Sequence, residues 1–208
     1  MLQSCRHRPR SFPKKVQKMK KDIILAGVGG QGILSIATVI GRVAVTNGMY
    51  LKQAEVHGMS QRGGDVQSHL RISTEPIASD LIPEGKADMI ISVEPMESLR
   101  YLPMLHEGGW VITNTEPFKN VPNYPADADL EAALKKVKNI VAFNADALAK
   151  EIKAPRSANM VILGAATAQL GLPYEEFEKA VRAIFANKGE EIVETNIKAL
   201  ALGREQAK

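Results

Sequence analysis

Apolar residues change their spacing several times between Lys21 and Gly203, and each change marks an element. Residues 22–26, DIILA, are an apolar run of strand length that breaks into Gly27, Gly29, Gly30 and Gly32 and resumes with helical spacing. This predicts a strand over Asp22–Ala26 and a helix from Gly32 to Asn47, with Gly48 as its C-terminal stop. A second strand covers Tyr50–Val56. The segment HGMSQRGGD at 57–65 has turn composition, and VQSHLRIS at 66–73 alternates like a half-buried strand. No crossover helix fits between them, so the second and third strands should be antiparallel.

Further along, Met89–Val93 reads as a buried strand, Met96–Leu105 as a helix and Trp110–Thr113 as a strand. Asn120–Asp127 reads as loop, Leu130–Lys138 as an amphipathic helix and Ile140–Phe143 as the last strand. Helical spacing dominates from Asp146 on. Ser157 is positioned to cap a helix through Leu170, whose Gly164, Ala165, Ala166 and Ala168 permit close helix contact. Gly171 and Pro173 separate it from a helix burying Phe177, Val181, Ile184 and Phe185 on one face. A final helix runs from Gly189 to Leu202 and stops at Gly203. The order predicts an α/β fold: a three-layer α/β/α Rossmann-like domain with a mixed, mostly parallel sheet and a helical C-terminal part.

Composition narrows the chemistry. With 208 residues, 45% hydrophobic and 24% charged, the chain suits one domain with a single core. Its single cysteine, Cys5, excludes a four-thiolate iron–sulfur or zinc site and any internal disulfide, and no metal site is expected. A reducing, cytoplasmic setting is the default. Residues 1–18 hold six of the basic residues and no acid, so without them the net charge falls from +4 to −2. The body is slightly acidic, which argues against a nucleic-acid partner, and no segment is apolar and long enough for a membrane span. An Arg-rich, acid-free leader has transit-peptide composition. The preferred reading takes Met19 as the functional start, 1–18 as a disordered basic extension and 19–208 as a single domain.

In an open α/β sheet, ligands sit outside the carboxyl ends of the parallel strands. That rule gathers Gly29, Gly30 and Gln31 after strand one, and His57, Gln61, Arg62 and Gly63 after strand two. It adds Glu94 after the 89–93 strand and Asn114 and Thr115 after the 110–113 strand. Gly27 permits the turn, Gly29 permits close backbone approach and Gly32 lets the helix sit close on the strand, the geometry of a phosphate cradle. Arg62 offers a planar fork for phosphate or carboxylate beside Gly63 and Gly64, though an arginine at a glycine turn is as often structural. His57 is the one candidate catalytic residue, a proton carrier near neutral pH, or else a turn cap or interface residue. Glu94 either binds a ligand or caps the helix that begins near Pro95. Glu55 stands where a dinucleotide enzyme holds ribose, but the loop after it does not fit that pattern.

Five ordered segments together resemble the gamma-type module of the 2-oxoacid:ferredoxin oxidoreductases. They are AGVGGQG at 26–32, EVHGMSQRGGDVQSHLRIS at 55–73, LIPEGKADMIISVEPMESLRYLPML at 81–105, NTEP at 114–117 and RSANMVILGA at 156–165. The likeness covers Met19 to Gly203, and the VHGMSQRGG form favours the indolepyruvate branch, where the corresponding chain is the beta subunit. The resemblance implies a subunit of an enzyme that decarboxylates an aryl 2-oxoacid, transfers the acyl group to coenzyme A and passes two electrons to ferredoxin. It implies a larger alpha subunit that carries thiamine diphosphate and iron–sulfur clusters, with no cofactor bound stably by this chain. The single cysteine and the lack of a GDG segment followed by paired asparagines agree with that division. Coenzyme A is then a shared ligand of the glycine loop and the 57–64 loop. Module chains for pyruvate, 2-oxoglutarate or 2-oxoisovalerate, a purely structural docking subunit and a free-standing nucleotide-dependent dehydrogenase are the alternatives.

Overall fold

A computed structural model describes residues 18–57, 63–119 and 121–207. The basic segment therefore lies outside the described residues except for Lys18, which pairs with Glu75 at 2.8 Å. Six strands form one sheet in the order β2 (Tyr50–His57), β3 (Asp65–Ser73), β1 (Lys20–Val28), β4 (Ala87–Ser92), β5 (Leu105–Asn114) and β6 (Ile140–Phe143). β3 runs antiparallel to both neighbours and the remaining pairs are parallel, so the expected mixed sheet is present. β1 lies between β3 and β4, and its residues from Ile23 to Val28 are all buried, which explains its unbroken apolar run.

The two faces of the sheet carry unequal layers. Ile23, Leu25, Leu70, Met89, Ile91 and Ile112 pack under α1 (Ile33–Thr46), α4 (Ala145–Glu151), α5 (Ala158–Leu170), α6 (Tyr174–Phe185) and α7 (Glu190–Glu205). Ile24, Ile90 and Val111 face the smaller second cluster. Tyr101, Leu102 and Ile82 cover that cluster, and α2 (Pro95–Arg100) and α3 (Asp127–Leu134) are the two α-helices left for this layer. No helix of the described residues is long and apolar enough to cross a membrane.

Most element boundaries follow the sequence, and the departures have local causes. α1 ends as expected: Gly48 adopts φ 74°, its N–H reaches the Val45 carbonyl and that of Met49 reaches Ala44. The Met96–Leu105 helix is cut at Arg100, and Leu102–Met104 forms a 3-10 turn. Pro103 lacks the N–H that would continue the helix. Leu105 opens β5, which starts five residues before the expected Trp110. α3 begins at Asp127 rather than Leu130, with Asp127 and Asp129 in its first turn, where carboxylates favour helix initiation. Ser157 occupies the cap position of α5 without a side-chain bond to it.

Gly203 is the clearest correction. It does not stop the last helix but lies inside α7, and a Cβ there would sit 1.8 Å from the Val161 carbonyl oxygen. Reciprocally, a Cβ on Gly164 would sit 2.0 Å from the Leu200 carbonyl oxygen. The two glycines thus let the backbones of α5 and α7 touch. Replacing Gly203 by Ala is expected to destabilise the chain by about 3 kcal/mol in urea unfolding, because backbone must move. Gly41→Ala, whose Cβ meets only the end of Leu51, should change stability by less than about 1 kcal/mol.

Residues 74–86 are clasped to β3 by two side chains. The buried His69 accepts a hydrogen bond from the Ile82 N–H at 3.0 Å through Nδ1, which requires the neutral imidazole. Arg71 donates to the Ser79 and Leu81 carbonyls at 2.9 and 2.8 Å and pairs with the buried Asp22. Burial, then the Arg71 charge, lowers the His69 pKa below its ordinary 6.5. The folded state disfavours the proton, so the stability His69 contributes is present above pH 6.5 and is lost as pH falls from there through the lowered folded value. Urea midpoints measured at pH 7.5 and 5.5 are expected to differ more for the native chain than for His69→Gln.

Candidate functional site

β1, β2, β4, β5 and β6 all point the same way, so the turns after them share one rim. β1 leaves toward β2 through α1, on the larger layer, and β4 leaves toward β5 through α2, on the other. The crevice between β1 and β4 is therefore a topological switch point, the place where such sheets receive ligands.

The glycine loop fills one side of this crevice. Val28 N–H donates to Gln31 Oε1 at 2.8 Å and Gln31 N–H to the Val28 carbonyl at 3.1 Å, closing the turn. A Cβ on Gly27 would lie 2.5 Å from Val93 Cγ2, so this residue must be small for β4 to end beside it. Gly32 adopts φ 80°, caps α1, and its carbonyl accepts from Asn159 Nδ2 at 3.0 Å. Gly30 differs: at φ 104° its missing Cβ would meet nothing within 4 Å. Its bare backbone faces open space where a ligand or partner can approach.

The hairpin between β2 and β3 closes on the same loop. Gly29 N–H donates to the Gly64 carbonyl at 2.8 Å and Gly63 N–H to the Gly29 carbonyl at 3.4 Å. The two glycine turns are thereby joined by backbone bonds. The His57 backbone ends β2 at this rim. Gln61 and Arg62 lie outside the described residues.

Glu94 and Asn114 are buried under the rim. Glu94 Oε2 accepts from Glu97 N–H at 2.8 Å as the N-cap of α2, and Oε1 accepts from Phe118 N–H at 3.3 Å and from the Tyr124 hydroxyl. Burial, and then the bond to Glu94, pushes the Tyr124 pKa upward, so this phenol stays a proton donor. Both Glu94 oxygens are thus engaged in holding α2, Phe118 and Tyr124. Asn114 Nδ2 donates to the Val93 carbonyl at 3.3 Å and to Asp146 at 2.6 Å, while Oδ1 accepts from Ala145 N–H at 2.9 Å and Glu116 N–H at 3.2 Å. It ties β4, β5 and the start of α4 together. Glu55, away from this centre, accepts from the Gln53 amide at 2.7 Å.

A cavity of about 410 Å³ opens beside Gly30, Gln31, Val93 and Asn114. Its far wall is Asp146, Arg156 and Asn159, which the sequence alone does not nominate. RSANMVILGA at 156–165 contains two of them and contributed only to the family likeness, since nothing local places it opposite a loop some 120 residues earlier. The Arg156 side chain is exposed and has no carboxylate partner among the described residues, so the wall carries a guanidinium available to an anion. Among the described residues no group of three or more His, Cys, Asp or Glu side chains is arranged to hold a metal ion.

A family model described as pyruvate ferredoxin/flavodoxin oxidoreductase matches residues 22–206. The chain belongs to that family. It is 36% identical over 91% of its length to indolepyruvate oxidoreductase subunit IorB of Archaeoglobus fulgidus, spanning 96% of that relative. It is 37% identical over 90% of its length to the subunit of the same name in Pyrococcus horikoshii, again spanning 96% of it. Among solved structures, the keto/oxoacid ferredoxin oxidoreductase gamma subunit of Geobacter sulfurreducens matches at TM-score 0.65 and 27% identity, over 90% of this chain and 98% of that one. In this family member the rim therefore depends on Asn114 for its shape. Asn114→Ala leaves the buried Val93 carbonyl and Ala145 N–H without partners, and is expected to destabilise the chain by about 2–4 kcal/mol in thermal or urea unfolding.

Proposed function

We propose that this chain is the subunit without redox cofactors of an indolepyruvate:ferredoxin oxidoreductase, working in the cytoplasm with a larger alpha subunit. The complex takes an aryl 2-oxoacid, releases carbon dioxide, transfers the acyl group to the thiol of coenzyme A and passes two electrons to ferredoxin. The observation that carries this reading is the likeness to indolepyruvate oxidoreductase subunits along nearly the full length of both chains. Thiamine diphosphate and the iron–sulfur clusters reside on the alpha subunit in this proposal; one cysteine, Cys5, is all the thiol this chain has to offer.

The contribution of this chain is to bind and orient coenzyme A at the rim. Three features support that role. Gly30 exposes backbone to open space, the uncapped N-terminus of α1 presents N–H groups with the favourable end of the helix dipole, and Arg156 adds an unpaired cation. Gly27, Gly29, Gln31 and Gly32 set the shape of the loop, and Gly63 and Gly64 brace it from the hairpin. Arg62, with Gln61 and His57 in the same segment, completes the anion-binding set. Glu94 and Asn114 act through the backbone they hold rather than by touching the ligand.

Arg62→Ala in the reconstituted complex is expected to raise KM for coenzyme A at least tenfold, with KM for the oxoacid little changed and the complex intact by size-exclusion chromatography. An unchanged coenzyme A dependence would leave the 57–64 segment a docking role only.

A further inference from the structure

Among the described residues the strand order leaves β2 and β6 without a neighbour on one side. β6 has four residues, and so short an edge is a poor template for another chain. β2 has eight, pairs with β3 from Tyr50 to His57 without a register shift, and contains no proline. In an antiparallel strand every second residue turns its N–H and C=O away from the neighbour it already has. The outer edge of β2 therefore presents an unbroken row of backbone donors and acceptors.

The side chains of β2 leave that row open. The Lys52 ammonium, a charge of the kind that guards an edge, donates instead to the Ala78 carbonyl at 3.0 Å, in the segment clasped to β3. The Gln53 amide donates to Glu55 at 2.7 Å and to Ser68 of β3 at 3.1 Å. These polar groups are bonded within their own sheet. Tyr50 and Val56, by contrast, are 40% and 48% exposed, and their even spacing along the strand puts both on one face.

A second copy of this chain fits the edge in a single register. Two copies related by a twofold axis normal to the sheet set their β2 strands antiparallel, with side chains of the same face opposite each other. An axis at Gln53 places Tyr50 of each copy opposite Val56 of the other, Lys52 opposite Ala54 and Leu51 opposite Glu55. The two exposed apolar side chains then cover each other twice, and no like charges meet. An axis at Lys52 or at Glu55 sets two identical charges face to face, and every axis other than Gln53 leaves Tyr50 or Val56 without a partner on β2.

We propose that this chain forms a symmetric dimer with a second copy of itself through β2, joining the two six-stranded sheets into one with Gln53 at the axis. Sedimentation equilibrium of the full chain across a micromolar concentration series is expected to show twice the monomer mass. Val56→Lys changes an exposed side chain, and should raise the dimer Kd by at least about tenfold while leaving Tm unchanged. Tyr50→Glu should weaken the dimer similarly. Tyr50→Glu and Val56→Lys in one chain should restore it, because opposite charges then face each other across the axis. Gln53→Cys in a Cys5→Ser background should give a disulfide-linked dimer on mild oxidation, since facing Cα atoms of antiparallel strands lie within disulfide range, and Ala54→Cys should not. A chain that stays monomeric throughout the series, or a dimer indifferent to Val56→Lys, would overturn the proposal. Cross-linking through Ala54→Cys in preference to Gln53→Cys would overturn its register. A monomer whose β2 amides gain hydrogen-exchange protection only when the larger subunit is added would give the edge to that subunit and overturn the dimer.

Discussion

Everything at the rim depends on the position of β1. It is paired on both edges, antiparallel with β3 and parallel with β4, and covered on both faces, so its end cannot move without disturbing the core. Gly27 then lets the chain turn away beside Val93, where any side chain would strike β4. A fixed strand end followed by a compulsory glycine is what places the bare backbone of Gly30 at the switch point. The surrounding bonds, Gly29 to Gly64 on one side and Asn159 to Gly32 on the other, hold the loop from both flanks.

This arrangement separates support from contact. Glu94 and Asn114 are polar residues in the rim, yet each makes bonds that a buried polar group must make, with backbone N–H groups, carbonyls and neighbouring side chains. They fix where β4, β5 and the helices after them begin. Asn114 also lines the 410 Å³ cavity, but with its side-chain amide bonded to its neighbours, whereas Gly30, Arg156 and Lys153 face cavities without such bonds. The rim is thus divided into a buried frame and an open surface on which Arg156 and Lys153 have no acidic partner among the described residues.

The C-terminal helices serve the same end at a distance. Gly164 and Gly203 bring α5 and α7 into backbone contact, and both helices start beside a cavity of about 700 Å³ next to the glycine loop. The small residues read as a packing surface in α5 were legible in the sequence. Their partner Gly203 was not, because a glycine near a chain's end looks the same whether it stops a helix or admits another one.

What the sequence determined by itself were the features that local physics controls. The apolar run of β1, the stop at Gly48, the antiparallel hairpin without room for a crossover and the buried stripe of α6 depend on neighbours within a few residues. The motifs after each strand were also legible, since the rule that ligands gather at carboxyl ends needs only strand direction. Tertiary structure alone decided which polar residues are spent on the frame and which remain open, because Glu94 finds Tyr124 and Asn114 finds Asp146 only when the layers close. It alone brought Arg156 and Lys153 to the glycine loop. Their place follows from the packing of α5 against α7 and the sheet and from the Asn159–Gly32 bond, which joins positions 127 residues apart, and no local spacing encodes either.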